Sequence, residues 1–260
     1  MRSNLVFAFA FSLALTPALA GEPIAAHLEF GGGVLNVPSL GQLTAVDVAG
    51  RFNVAFGDGW NVEVEVNFDA RFNATTNWSV VYPVVHLWKG TEDAAGGVLA
   101  GVAFPNNPGG QIAFAGVEGE AYLDGVTTIG GQAIFNVFST AGCCVANFTT
   151  LRGWIEQYVT PDLRAGLSAA VFVPHGVFSP AITRWFVEGK LEHRMSGTGV
   201  SGFALARYLQ QGGSSGWLGM IGVRLFADRP ANTLRGHDLE VPWDVIMPLI
   251  EGNGGEPEPG

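Results

Sequence analysis

The chain has 260 residues, only 14% of them charged, with 37 glycines and a formal net charge of −10; its mean hydropathy is +0.27. The acidic balance argues against nucleic acid as a partner, and low charge with abundant glycine and positive hydropathy does not suit a soluble secreted domain. The two cysteines, Cys143 and Cys144, are adjacent and cannot staple distant segments, and no Cys/His metal spacing is present, so neither a metal nor a cofactor is expected.

Residues 1–20, MRSNLVFAFAFSLALTPALA, read as a secretory signal peptide. Arg2 precedes an apolar run from Leu5 to Leu15, and Ala18-Leu19-Ala20 stands before Gly21 as a cleavage site. The remaining 240 residues (260 less 20) suffice for one large β domain. No later stretch reaches the ~18–20 continuous apolar residues of a spanning helix, so any membrane crossing is by strands.

Strand-like runs then follow with no helical interruption, at 24–37, 42–56, 60–71, 78–88, 96–105, 111–123, 126–139, 147–160, 163–174, 181–194, 199–209 and 216–227. Twelve is an even number, as closed bacterial barrels require; other boundaries would give ten or fourteen. The third run shows the pattern best. Val62, Val64, Val66 and Phe68 alternate with Glu63, Glu65, Asn67, Asp69 and Arg71. A period of two means one apolar and one polar face.

The other polar rows carry both signs of charge. Asp47 and Arg51 lie on the second run, Glu118 and Glu120 on the sixth, Arg152 and Glu156 on the eighth, and Arg164 on the ninth. The tenth alternates Arg184, Glu188, Lys190, Glu192 and Arg194 with apolar residues, and the last two runs add Arg207 and Arg224. A soluble barrel with these charges outside would need bulky apolar side chains to fill its interior. The apolar rows instead hold many Ala and Val, which lipid tolerates but which leave voids in a wide closed core. The expected fold is therefore all-β: a transmembrane, antiparallel, up-and-down barrel over 21–227, with lipid outside and the charged rows lining the lumen.

The connections fall into two sets. Asp58-Gly59, Asp124-Gly125, 160–162 and 196–198 read as tight turns at a periplasmic rim, with 89–95 a longer exception. Stretches 105–110, 139–147, 174–180 and 210–215 read as longer external loops. Trp60, Trp78, Trp88, Trp185 and Trp217 lie near strand ends, which predicts interfacial aromatics at the membrane boundary. "FPNNPGG" at 104–110 is no phosphate cradle, since its prolines lack backbone donors.

The blocks "FAGVEGEAYLDGVTTIGGQAIF" (114–135), "VVHLWKG" (84–90) and "GVLNVPSLGQLTAVDVAGRFNV" (33–54) resemble the porin-like outer-membrane barrels of alphaproteobacteria. The resemblance implies an outer-membrane location in a Gram-negative cell and pore activity, and it carries over no catalytic residue. The expected function is a narrow channel for small solutes with a mixed-charge lumen; a non-conducting structural barrel is the alternative. Outer-membrane lipid, lipopolysaccharide and the outer-membrane assembly machinery are the expected partners.

"LEHRMSG" at 191–197 resembles the outer-membrane phospholipase A motif, in which His and Ser stand two apart on one face. Here His193 and Ser196 are three apart and fall on opposite faces, so a lipid hydrolase is the least favoured reading. His27, His86, His175 and His237 show no Ser or carboxylate constellation. Cys143 and Cys144, in an expected external loop, form a strained vicinal disulfide, stay as two unpaired thiols at the rim, or pair between molecules. The chain continues past Phe226 through "LEVPWDVIMPLIEG" to an acidic Gly/Pro end, so 228–260 reads as a periplasmic tail, either loose or docked under or inside the barrel or on a periplasmic partner.

Overall fold

A computed structural model describes residues 24–38, 40–55, 58–106, 110–140, 143–175, 184–211, 214–227 and 234–235. The signal-peptide reading and most of the tail lie outside these residues. Twelve strands occur in the described chain: β1 (Ile24–Val37), β2 (Gly41–Ala55), β3 (Trp60–Phe72), β4 (Asn77–Gly90), β5 (Ala94–Pro105), β6 (Gln111–Leu123), β7 (Thr127–Thr140), β8 (Cys143–Thr160), β9 (Leu163–His175), β10 (Arg184–Arg194), β11 (Val200–Gln211) and β12 (Ser214–Phe226). Each pairs antiparallel with its chain neighbours, and β1 closes on β12 through pairs such as Glu29 with Arg224, which makes a closed barrel. Closure removes the two exposed edges that an open sheet would leave unpaired.

Hairpin chemistry sets the register. Asp58 and Gly59 have φ of 48° and 78°, and Asp124 and Gly125 have 46° and 71°. Two successive positive φ values match the right-handed twist of the flanking strands, and Asp-Gly reaches them at low cost. The segment expected to be long at 89–95 is a tight turn, because β4 runs on to Gly90 and Thr91 N donates to Ala94 O at 2.7 Å. Two expected external loops also shrink. β8 begins at Cys143, leaving only 141–142 between strands, and β12 begins at Ser214. Both segments extend the neighbouring ladders, with a register shift at Ser139/Thr140.

The barrel is inverted relative to a soluble one. Ile221 is 72% exposed on the outer face, and Phe68, Val117, Leu167 and Leu191 are exposed with it, whereas Glu65 is 0% exposed inside. An apolar belt around a closed barrel with charges within is the arrangement that lipid demands.

The interior is zoned. Toward the end carrying the β3–β4 and β5–β6 turns it is apolar: Trp78, Val80, Ile112, Phe114 and Ile134 pack together on one side. Leu35, Leu43, Leu218 and Met220 pack on another, and Phe172 with Phe186 on a third. Most of the charge sits nearer the end where β1 starts and β12 finishes.

Candidate functional site: the barrel interior

The charged side chains of the inward rows form two unlike groups. One runs over β8–β12 and across the seam to β1. Arg164 donates from Nη1 to Glu156 Oε2 at 3.1 Å and from Nη2 to Glu192 Oε2 at 2.7 Å. Arg224 then links Glu192 (3.2 Å) to Glu29 (2.6 Å), and Lys190 reaches Glu29 at 3.4 Å. Ser201 donates to the second oxygen of Glu192. Glu188 is paired with Arg207, whose Nε lies 2.7 Å from Oε2. Three carboxylates and three cations thus alternate along one chain, with a further pair beside it.

Aromatic plates underlie these cations. Lys190 lies 4.6 Å from the Phe203 ring, Arg207 4.7 Å from Phe186, and Arg194 4.5 Å from Phe226. Arg152 stands 5.3 Å from the Trp154 ring, and Trp154 Nε1 donates to Glu120 at 3.1 Å. Stacking of this kind holds a guanidinium in place while its edge donors serve carboxylates. Arg184 opens β10 on the same inward row as Phe186 and Glu188.

The other group spans β2, β3, β4 and β6. Glu63 and Glu65 share the inward row of β3, and Glu63 pairs in register with His86 on β4. Glu65 Oε1 accepts from Arg51 at 3.1 Å and Asn67 at 2.7 Å. His86 Nδ1 is 2.7 Å from Glu118 Oε1, and Gln132 donates to Glu118 Oε2 at 3.1 Å. β5 lies between His86 and Glu118 with a low inward row. Its Gly97 is required by packing, since a Cβ there would fall 2.6 Å from Trp88 Cβ. Farther along β3, Arg71 binds Asp47, and Tyr82 donates to Asp69 at 3.3 Å.

The tryptophans divide. Trp60, Trp185 and Trp217 are exposed on the outer face. Trp78 and Trp88, expected at the membrane interface, are buried inside. They fall on the same alternating row of β4 as His86, and that row points inward; β4 is apolar on both faces, so strand-end position alone did not decide the side.

His193 is exposed on the outer row of β10, and Ser196 lies in the following turn, donating to Asp162 Oδ2 at 3.2 Å. They share no site. His27 is buried beside Phe226, at 6.1 Å between ring centroids, and His175 is exposed and bonds Thr149 at 2.7 Å. His237 and the side chains of Cys143 and Cys144 lie outside the described residues.

Two residues of the 228–260 segment are described, and both touch the barrel. Leu234 is fully buried against Tyr158 and Phe226. Leu234 N donates to Asp162 Oδ1 at 3.4 Å and Arg235 N to Pro161 O at 3.2 Å.

No protein-family model and no curated relative matches the sequence, so the alphaproteobacterial family stays a resemblance. Among solved structures, the fold is similar to the NanC porin at 14% identity, covering 76% of this chain and 98% of that one, with a TM-score of 0.57. It is also similar to the translocator domain of the autotransporter NalP from Neisseria meningitidis, at 12% identity, 85% and 95% coverage and a TM-score of 0.50. The KdgM porin aligns at 10% identity over 76% and 98% of the two chains, with a TM-score of 0.49. A porin and a translocator domain share this fold, so the likeness establishes the barrel architecture and nothing finer.

Proposed function

We propose that the chain is an outer-membrane barrel of a Gram-negative cell that passes small solutes through a narrow, side-chain-lined interior. The observation that carries this reading is partial solvent access at interior charges of both signs. The side chains of Asp47, Glu156, Glu29, Lys190 and Arg207 are 31, 22, 19, 14 and 12% exposed within a closed wall. Buried ions are costly without water or full pairing, so a wet path past these side chains is physically favoured. Both signs on one path predict little selectivity between small cations and anions. The turns at Asp58-Gly59 and Asp124-Gly125 face the periplasm in this reading, together with the tail, and lipopolysaccharide contacts the opposite rim. The assembly machinery inserts the barrel, and no catalytic step is assigned to it.

A non-conducting structural barrel is the second reading. The apolar zone around Trp78 and Ile112 and the dry Glu65–His86 side favour it. Planar-bilayer recording decides between them. The channel reading expects small, weakly selective conductance steps that change with Lys190→Glu. A silent bilayer, with barrel insertion verified, leaves the structural reading standing.

A further inference from the structure

Glu63, Glu65 and His86 are among the driest polar residues of the barrel, at 1, 0 and 0% exposure. One carboxylate oxygen from each glutamate and one ring nitrogen of His86 lie within 4.8 Å of one another. Glu63 Oε1, Glu65 Oε2 and His86 Nε2 make no hydrogen bond. Glu65 Oε2 and His86 Nε2 have only each other, at 3.4 Å, and Glu63 Oε1 has no partner; leaving a dry polar group unmatched costs on the order of 1–3 kcal/mol, which an ion held among the three side chains would relieve.

We infer that these three side chains form a binding site for one divalent transition-metal ion, of which Zn²⁺ is the representative. Ligand atoms ~2.0–2.2 Å from a tetrahedral zinc stand about 3.4 Å apart. His86 Nε2 and Glu65 Oε2 are 3.4 Å apart, so they already form one edge of that tetrahedron; a small rotation of Glu63 closes the face and leaves the fourth position open. Imidazole with two carboxylates suits zinc and its first-row neighbours rather than the all-oxygen shells of Ca²⁺ or Mg²⁺.

The surroundings are arranged as metal ligands require. With its proton on Nδ1, His86 donates to Glu118 Oε1 at 2.7 Å, and Nε2, 3.4 Å from Glu65 Oε2, is then the nitrogen left to ligate. Arg51 and Asn67 occupy only Oε1 of Glu65, which orients Oε2 inward. The site is independent of whether the barrel conducts.

The test uses the full-length barrel in detergent, stripped with a chelator and titrated with Zn²⁺ in competition with a chromogenic chelator. One Zn²⁺ per barrel is expected. Glu118→Gln should weaken it roughly 10–100-fold as a second-sphere change, Glu63→Gln and His86→Gln should weaken it further, and the outward His193→Gln should change nothing. Because any variant could fail to fold, a parallel denaturant titration of the wild type reads the same site, since a ligand bound only by the native state raises its midpoint. Zn²⁺ should raise it and Ca²⁺ should not. Absence of stoichiometric Zn²⁺ binding, binding undiminished in folded Glu63→Gln, or an equal shift by Ca²⁺ overturns the assignment.

Discussion

From β8 to β12 and over the seam to β1, each carboxylate of the interior network meets a base: Glu156, Glu192 and Glu29 alternate with Arg164, Arg224 and Lys190. Across β3, β4 and β6, three carboxylates gather around one imidazole, with Arg51 of β2 bonded to Glu65. The first group is complete as it stands, and its side chains retain some water. The second is dry and sets three carboxylates against one guanidinium and one imidazole. A self-neutralised network serves to hold strands in register and present a mixed surface; an acid-rich, preformed cluster serves to receive a cation.

The sharpest break of this contrast removes Arg224. Its guanidinium touches both Glu29 and Glu192 and is 3% exposed. Arg224→Met leaves buried Glu192 and part-exposed Glu29 each short of a partner, and breaking a buried pair from one side costs about 3–5 kcal/mol. Urea unfolding in detergent, followed by the mobility difference between boiled and unboiled barrel on gels, should show a loss of that size.

A loss of similar size is expected from the apolar zone, on the β4 row that also carries His86. Trp78 packs with Val80, Ile112 and Phe114, so Trp78→Ala should cost about 3–5 kcal/mol. Trp217 is 53% exposed on the outer face, so Trp217→Ala should cost well under that, on the order of 0.5 kcal/mol. Equal losses would mean that both indoles share one environment and that the inward assignment of β4 is wrong.

These positions also show what could be read in the residues alone. β3 declares its faces, because Glu63, Glu65 and Asp69 alternate with Val and Phe and only one side can be wet. The twelve strands follow from the same alternation and from the Asp-Gly turns. β4, "NWSVVYPVVHLWKG", has no such contrast. One signal was present: Asn77, Ser79 and Lys89 of the other row stand near the strand ends, whereas His86 lies farther inside the strand on the row of Trp78 and Trp88, and a rule that sends rows with polar residues inside the span inward would have taken both indoles with it. The Glu63–His86 pairing was harder to see. It depends on the β3–β4 register, which the turn at 73–76 sets through Asn73, whose Oδ1 accepts from Thr75 N and Thr76 N. Metal spacing searched along the chain misses ligands that register brings together.

A smaller effect is expected where the paired group meets the end of the barrel. Tyr158 of β8 and Phe226 of β12 flank buried Leu234. Leu234→Asp forfeits a full leucine burial, about 1.5–3 kcal/mol, but only from the docked segment. The expected result is faster protease cleavage after Phe226 with the barrel's own unfolding midpoint unchanged. A midpoint that falls together with the cleavage resistance would make the segment part of the barrel's cooperative unit.

The smallest change separates the two groups most clearly, because its sign differs. Glu63→Gln keeps the side chain's shape and removes one of the three converging charges, at a position where Oε1 has no hydrogen bond to lose. In chelator, where no ion can bridge the cluster, relieving repulsion against Glu65 and Glu118 should leave stability unchanged within ~0.5 kcal/mol or raise it. On the opposite side, Glu192→Gln deletes a charge that meets Arg164, Arg224 and Ser201, and it should fall by about 3–5 kcal/mol as a broken buried pair. The two substitutions are chemically identical and both sites are dry, so the same urea titration compares them directly. Equal losses would show that Glu63 is held by partners as Glu192 is, and the distinction between a saturated wall and a receptive one would fail.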